Sequence, residues 1–214
     1  MLASRVISAH KANTANSLSL GTGVTPGGSD VGSAGLALST ANLYSAVQPG
    51  GSLYGLQHSN PVDTEIAYGN SAAGQGNPPT NAASFGTPSD PLVGQRVGGV
   101  NVFGGGLALY QNGQKVGGIG VSGDTSCTDH MVAWRVRNTL KQDQFQGVAG
   151  VSGDVTRPDN IIFDIVANKD LIPPPAGTGQ DPGGQGGVGT SPSGFGHPKC
   201  LNNPDPSTLP PVKQ

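Results

Sequence analysis

Charge and aromatic rings are both scarce in this chain: charged residues make up 11% and Phe, Tyr and Trp together 5% of its 214 residues. The formal net charge is −2, and the Lys and Arg residues are scattered without a basic stripe. Nothing therefore draws the chain to phosphate backbones, and nucleic acid is not an expected partner. No uninterrupted apolar run reaches the roughly 18 residues needed to cross a bilayer. The opening Met1-Leu2-Ala3-Ser4-Arg5 is followed by no apolar segment, so it does not read as a signal peptide. Only two cysteines occur, Cys127 and Cys200, too few and too far apart for a four-ligand zinc site. A single disulfide is the better reading, with a thiolate nucleophile as the alternative for Cys127.

Glycine and proline are abundant, with 36 and 18 residues. At that level much of the chain is loop, and its polarity comes from Gly, Ser, Asn, Thr and Gln rather than from charge. The length suits one domain with long insertions. We divide it into residues 1–170, with a loop insertion at about 20–99, and a Pro/Gly-rich C-terminal extension over 171–214. A helix is expected from Ala3 to Leu18, where Val6, Ile7, Ala9, Ala12 and Ala15 form a weak apolar stripe. A second, short helix is expected over Thr40 to Val47, ending before Pro49-Gly50. Residues 69–81 and 87–91 lack any apolar period and read as surface loop.

Regular patterning returns at Gly105. Leu107 and Leu109, then Val116 and Ile119, lie in two β-like runs joined through Asn112-Gly113, a strong hairpin signal because both turn residues must take positive φ. Glycines 117, 118, 120 and 123 permit close approach by a backbone, a helix or a flat ligand, and relief of crowding under a packed helix is the plainer explanation. A helix follows from Thr125 or Ser126, with Asp129 in its first turn favouring the dipole. Val132, Ala133, Val136 and Leu140 are expected to be its buried stripe, with Arg135, Arg137 and Lys141 facing water. Asn160 to Val166 reads as a final strand, and a Pro/Gly tail begins after Leu171.

Chemical motifs are weak. Gly118 to Gly123 spells Gly-x-Gly-x-x-Gly, but a hairpin strand precedes it and no βαβ unit with a distal acidic residue follows, which argues against dinucleotide binding. Ser122 lacks a nucleophile elbow, and nothing in the spacing fixes His130 against it as a base. Gly-Val-Ser-Gly-Asp recurs at 120–124 and 150–154, too short an echo for a repeat fold. The histidines, His10, His58, His130 and His197, show no zinc-helix spacing. Haem iron needs only one or two axial ligands, so an isolated histidine beside a glycine-lined surface is compatible with haem.

Four stretches, in order, carry a resemblance. Ala9-His10-Lys11-Ala12-Asn13-Thr14-Ala15 is similar to a Lys-Ala-x-Thr-Ala helix; Pro49 to Leu56 and Gly104 to Tyr110 follow; the most specific runs from Val116-Gly117-Gly118-Ile119-Gly120-Val121-Ser122-Gly123 to Asp129. Together they resemble the GlcG/HbpS family of haem-associated proteins over residues 3 to about 141. The resemblance implies an α/β (α+β) fold with an antiparallel sheet flanked by helices, homo-oligomeric assembly, and haem or a related small ligand. It also implies a helix and hairpin preceding the first helix here, whose absence would leave a sheet edge open. On the matching helices, His10, Lys11 and His130 are the candidate haem-binding residues, with His10 and His130 as iron ligands. A Cys127–Cys200 bond would anchor the extension and suit a periplasmic or extracellular setting. The leading expectation is a secreted haem-binding module. A ligand-free accessory protein using its loops for protein contacts is the alternative, and no positioned acid/base pair supports an enzyme.

Overall fold

The computed structural model describes residues 2–23, 34–68, 82–166 and 189–214. The expected loop at 69–81 and the stretch 171–188 of the C-terminal extension lie outside them. In chain order the elements are α1 (Leu2–Leu18), β1 (Leu36–Ala37), α2 (Leu43–Ala46), α3 (Thr64–Tyr68), β2 (Gly106–Gln111), β3 (Gln114–Gly120), α4 (Ser126–Thr139) and β4 (Ala149–Gly150). The class is α+β. An antiparallel hairpin of β2 and β3 is flanked by α1 and α4, and β1 and β4 form a separate short parallel pair whose Ala37 shares the hairpin's core.

The hairpin turns where the sequence demands it. Asn112 and Gly113 take φ of 50° and 75°, the paired positive values that match strand twist in a two-residue turn. The ladder sets Gly106 opposite Gly120 and Ala108 opposite Gly118, with an irregularity at Leu109/Tyr110. This glycine-rich face belongs to α1. A Cβ on Gly120 would overlap the Ser8 carbonyl, and one on Gly118 would overlap that of Ala12. The glycines therefore let a helix backbone lie directly on the sheet, which is the crowding-relief reading.

The other face meets α4 in a core of Leu107, Tyr110, Met131, Ala133, Trp134 and Phe145, joined by Leu209 and Val212 from the C-terminal extension. Thr125 caps α4, its side chain accepting from the Thr128 amide at 3.3 Å. The buried side of α4 corrects the expected stripe. Ala133 is buried as expected, but Val132, Val136 and Leu140 are 41%, 36% and 54% exposed, while Arg137 is wholly enclosed. Arg137 donates twice to Asp159, at 2.6 and 2.9 Å, and to the Ala108 carbonyl at 3.1 Å. Its guanidinium lies between Trp134 and Phe145, 4.4 and 4.9 Å from their ring centres. A bidentate carboxylate and two aromatic faces satisfy a charge that would otherwise be expelled from the core.

Two further expectations change. The Asn160–Val166 run forms no continuous ladder: among the described residues its backbone is met across the chain by the His197 amide at Ile162 and by the bridge of Val166 to Thr190, so it is no strand of a sheet. The edge beside β2 is covered by residues 142–144, a segment that the C-terminal extension backs in turn. Tyr110 exchanges backbone hydrogen bonds with residues 142 and 144, and Phe145 in turn pairs with Lys213. These contacts satisfy backbone groups that an open edge would present to another chain.

Candidate functional site

Helix α1 places His10 and Lys11 in opposite environments, because consecutive residues on a helix point about 100° apart. Lys11 turns under the sheet-to-helix passage, where its ammonium donates to the Asp129 carboxylate at 2.9 Å and to the Val121 carbonyl at 3.0 Å. Both partners are buried, so this pair ties α1 to the first turn of α4. Burial lowers the Lys11 pKa, and the Asp129 charge opposes that shift. The geometry is structural.

His130 is fully enclosed on α4. Its Nε2 lies 3.2 Å from Asn160 Oδ1 and 3.2 Å from the Ile161 amide, and its ring rests 5.9 Å from Trp134. Desolvation pushes its pKa down to about 4, against a raising contribution from Asp159, so the imidazole is neutral at pH 7. Nδ1 has no hydrogen-bond partner, and the residue is 0% exposed.

His10 differs. Its Nε2 is buried without a partner beneath Gly99, whose added Cβ would stand 3.0 Å from that nitrogen, and beside Val62. Burial lowers its pKa as well. Its neighbours Ala9 and Asn13 line a cleft of about 410 Å³ with Leu92, Arg96 and Gly98. A second cleft of about 560 Å³ runs on along α1 past Arg5, Ala12 and Phe85, and the two share Ala9 and Leu92. Arg5 is already engaged, paired with Asp90 and stacked 4.1 Å over Phe85. Arg96 is exposed at the rim.

The remaining cluster was only half visible in the sequence. Cys127 and Cys200 form the expected disulfide, with Cα atoms 6.2 Å apart. Beside it stands His197, which sequence reasoning left unassigned. Its Nε2 is 3.1 Å from Ser126 Oγ, its Nδ1 is 2.7 Å from the Pro198 carbonyl, and its ring packs 5.5 Å from Tyr44. Burial lowers the His197 pKa, partly offset by the Pro198 carbonyl. The usable signal was the His-x-x-Cys spacing of His197 and Cys200, once the disulfide is drawn. His58 sits on an exposed turn.

Comparison with known proteins decides the family. A family model described as haem degrading protein HbpS-like matches residues 1–137. The chain belongs to the HbpS-like family. No curated protein and no solved structure matches it. The HbpS-like match runs from α1 through the hairpin into α4, so it covers His10, Lys11, Cys127 and His130, and it stops before His197 and Cys200. Membership makes the function haem-related in general terms. Among the described residues, no helix is long and apolar enough to cross a membrane.

Proposed function

We propose that this HbpS-like protein binds haem, or a closely related flat metal-centred ligand, beside α1, where His10 Nε2 would be the donor to its metal. The observation that carries this reading is the unpartnered, buried His10 Nε2 beneath Gly99; the chain neighbours of these two residues, Ala9 and Gly98, line an α1 cleft. An imidazole nitrogen buried without a partner costs roughly 1–3 kcal/mol, and a metal–nitrogen bond removes that cost. Entry requires the Gly98–Gly99 segment, held by its bridge to Val62, to lift from the ring. Ala9 and Leu92 then offer apolar wall, and Arg96 a cation for a ligand carboxylate. When bound, haem supplies iron-centred redox chemistry, while the chain orients the imidazole and limits water. Lys11 and His130, the other candidates, support the site by locking α1 and α4 rather than by touching ligand.

Hemin titration of the full chain tests this. A saturable Soret shift is expected, weakened at least about tenfold in His10→Ala and kept in His130→Gln. A titration without a Soret shift, or equal binding by His10→Ala, overturns the reading. The Cys127–Cys200 bond supports a periplasmic or extracellular setting. The exposed Val132, Val136 and Leu140 stripe supports self-association, and Val136→Asp should then lower the mass in sedimentation equilibrium without altering far-UV circular dichroism.

A further inference from the structure

The His197 corner does not belong to the α1 cleft, and its three sulfur and nitrogen donors converge without any role in the haem reading. The Cys127, His197 and Cys200 donor atoms all lie within 4.8 Å of one another. The His197 ring is already oriented: Nδ1 stands 2.7 Å from the Pro198 carbonyl, so it carries the proton and donates there, leaving the Nε2 lone pair to face Ser126 and the sulfurs. A backbone carbonyl gripping one ring nitrogen while the other points inward is the arrangement that fixes metal-binding histidines. Ser126 Oγ adds an oxygen 3.8 Å from Cys200 Sγ.

We propose that reduction of the Cys127–Cys200 bond converts this corner into a zinc site, with both cysteine sulfurs and His197 Nε2 as ligands and a fourth position open beside Ser126. Tetrahedral zinc with bonds of about 2.0–2.3 Å places its ligand atoms about 3.3–3.8 Å apart. The cluster is close to that spacing, and the main change needed is for the two sulfurs to separate once unbonded. Three protein ligands with an open fourth place is the pattern of zinc that binds an exchangeable water.

The chemistry balances with a dithiol as reductant. Its thiolate attacks Cys200 Sγ, the more exposed sulfur, and the Cys127 sulfur leaves as a thiolate in the first turn of α4, where the helix dipole favours negative charge. The second thiol of the reductant then displaces Cys200 and closes its own disulfide. Two electrons have passed to the protein sulfurs. On binding Zn²⁺ the two cysteines release two protons to solvent, and neutral His197 contributes its lone pair with no proton change.

The corner survives loss of the covalent bond because other contacts hold the extension. The Ser45 amide and hydroxyl donate to the Gly196 carbonyl, at 3.2 and 2.6 Å, and the His197 amide donates to Ile162 at 2.8 Å. Ser191 and Ser193 both donate to Asp164. His197 thus stays above Cys127 when the bond opens, and a redox change is read out as metal occupancy.

The test uses the full chain, oxidised or reduced with a phosphine, titrated with Zn²⁺ against a chromophoric chelator and with Co²⁺ as a spectroscopic stand-in. The reduced chain should bind zinc and the oxidised chain should not. Co²⁺ should show thiolate charge-transfer and tetrahedral ligand-field bands. His197→Gln should weaken zinc by about 10- to 100-fold and alter the cobalt bands, while His58→Gln changes neither. The reduced chain alkylated at both cysteines should bind nothing, a comparison that does not depend on any variant folding. Zinc uptake that is equal in the oxidised, reduced and alkylated chains overturns the proposal, and so does a Co²⁺ spectrum without thiolate bands. Undiminished binding by His197→Gln overturns it equally.

Discussion

His130 makes the fold sensitive to mild acid by an amount the structure allows us to work out. Its pKa is held at about 4 in the folded protein, against 6.5 when exposed, because desolvation outweighs the favourable Asp159 charge. Below pH 6.5 the unfolded chain takes up a proton that the folded chain refuses, so stability falls with pH and levels off only below the folded value. Integrated from pH 7.5 to pH 4.5, this one group removes about 2.5 kcal/mol. His10 and His197 are also lowered by burial and add to the wild-type slope in the same direction, so the informative quantity is a difference. In His130→Gln the side chain can still accept from the Ile161 amide and cannot protonate. The wild type should therefore lose about 2–3 kcal/mol more than His130→Gln between those two pH values. Urea unfolding at each pH measures it, followed by far-UV circular dichroism because His130 packs on Trp134, the sole tryptophan, and would change its fluorescence by titrating. Parallel stability profiles for the two proteins would refute the reasoning.

Three other outcomes follow from the packing. Gly120→Ala drives a Cβ into the Ser8 carbonyl and should lift α1 from the hairpin, costing about 3 kcal/mol or more, whereas Gly123→Ala, with open space around it, should cost under about 1 kcal/mol by urea unfolding. Asp159→Asn strands the enclosed Arg137 charge and should cost about 3–5 kcal/mol; the double change Arg137→Met with Asp159→Leu should be markedly milder, and equal losses would argue against a desolvated pair. Reduction of Cys127–Cys200 without metal opens a link across 73 residues and should lower stability by about 2–4 kcal/mol, seen as a shift of the denaturation midpoint on adding a phosphine.

Local signals read truly from the sequence. The α1 helix, the Asn112-Gly113 turn, the Thr125 cap and the cysteine pair each depend on neighbours in the chain or on a count of two, and each is where it was expected. The buried side of α1, however, is Val6, His10, Lys11, Thr14 and Ala15 rather than the expected stripe with Ile7, Ala9 and Ala12. The buried face of α4 was misread because residue type was used as a proxy for burial. Arg137 is enclosed only because Asp159, 22 residues on, neutralises it, and no local period reveals such a partner. With Arg137, Trp134 and Met131 inward, the helix has no room to bury Val132 and Val136 as well. The Asn160–Val166 run has strand composition, but its neighbours meet it at single points rather than as a laddered strand. Of the site, His10 and Lys11 were legible as a pair on a helix, yet their division of labour depends on Asp129 and Gly99 from distant parts of the chain. His197 became visible only when folding brought it to the disulfide.

The enclosed Arg137 is also the last residue of the HbpS-like match, and its counter-ion lies beyond it. The part of the chain that defines the family is therefore not a self-sufficient folding unit. Cutting after residue 137 would remove Asp159, Phe145, Leu209 and Val212 together, leaving a cation facing an unfilled hollow and the outer edge of β2 bare. Inheritance and cooperativity have different borders in this molecule, and a fragment drawn along the first would be expected to aggregate rather than fold.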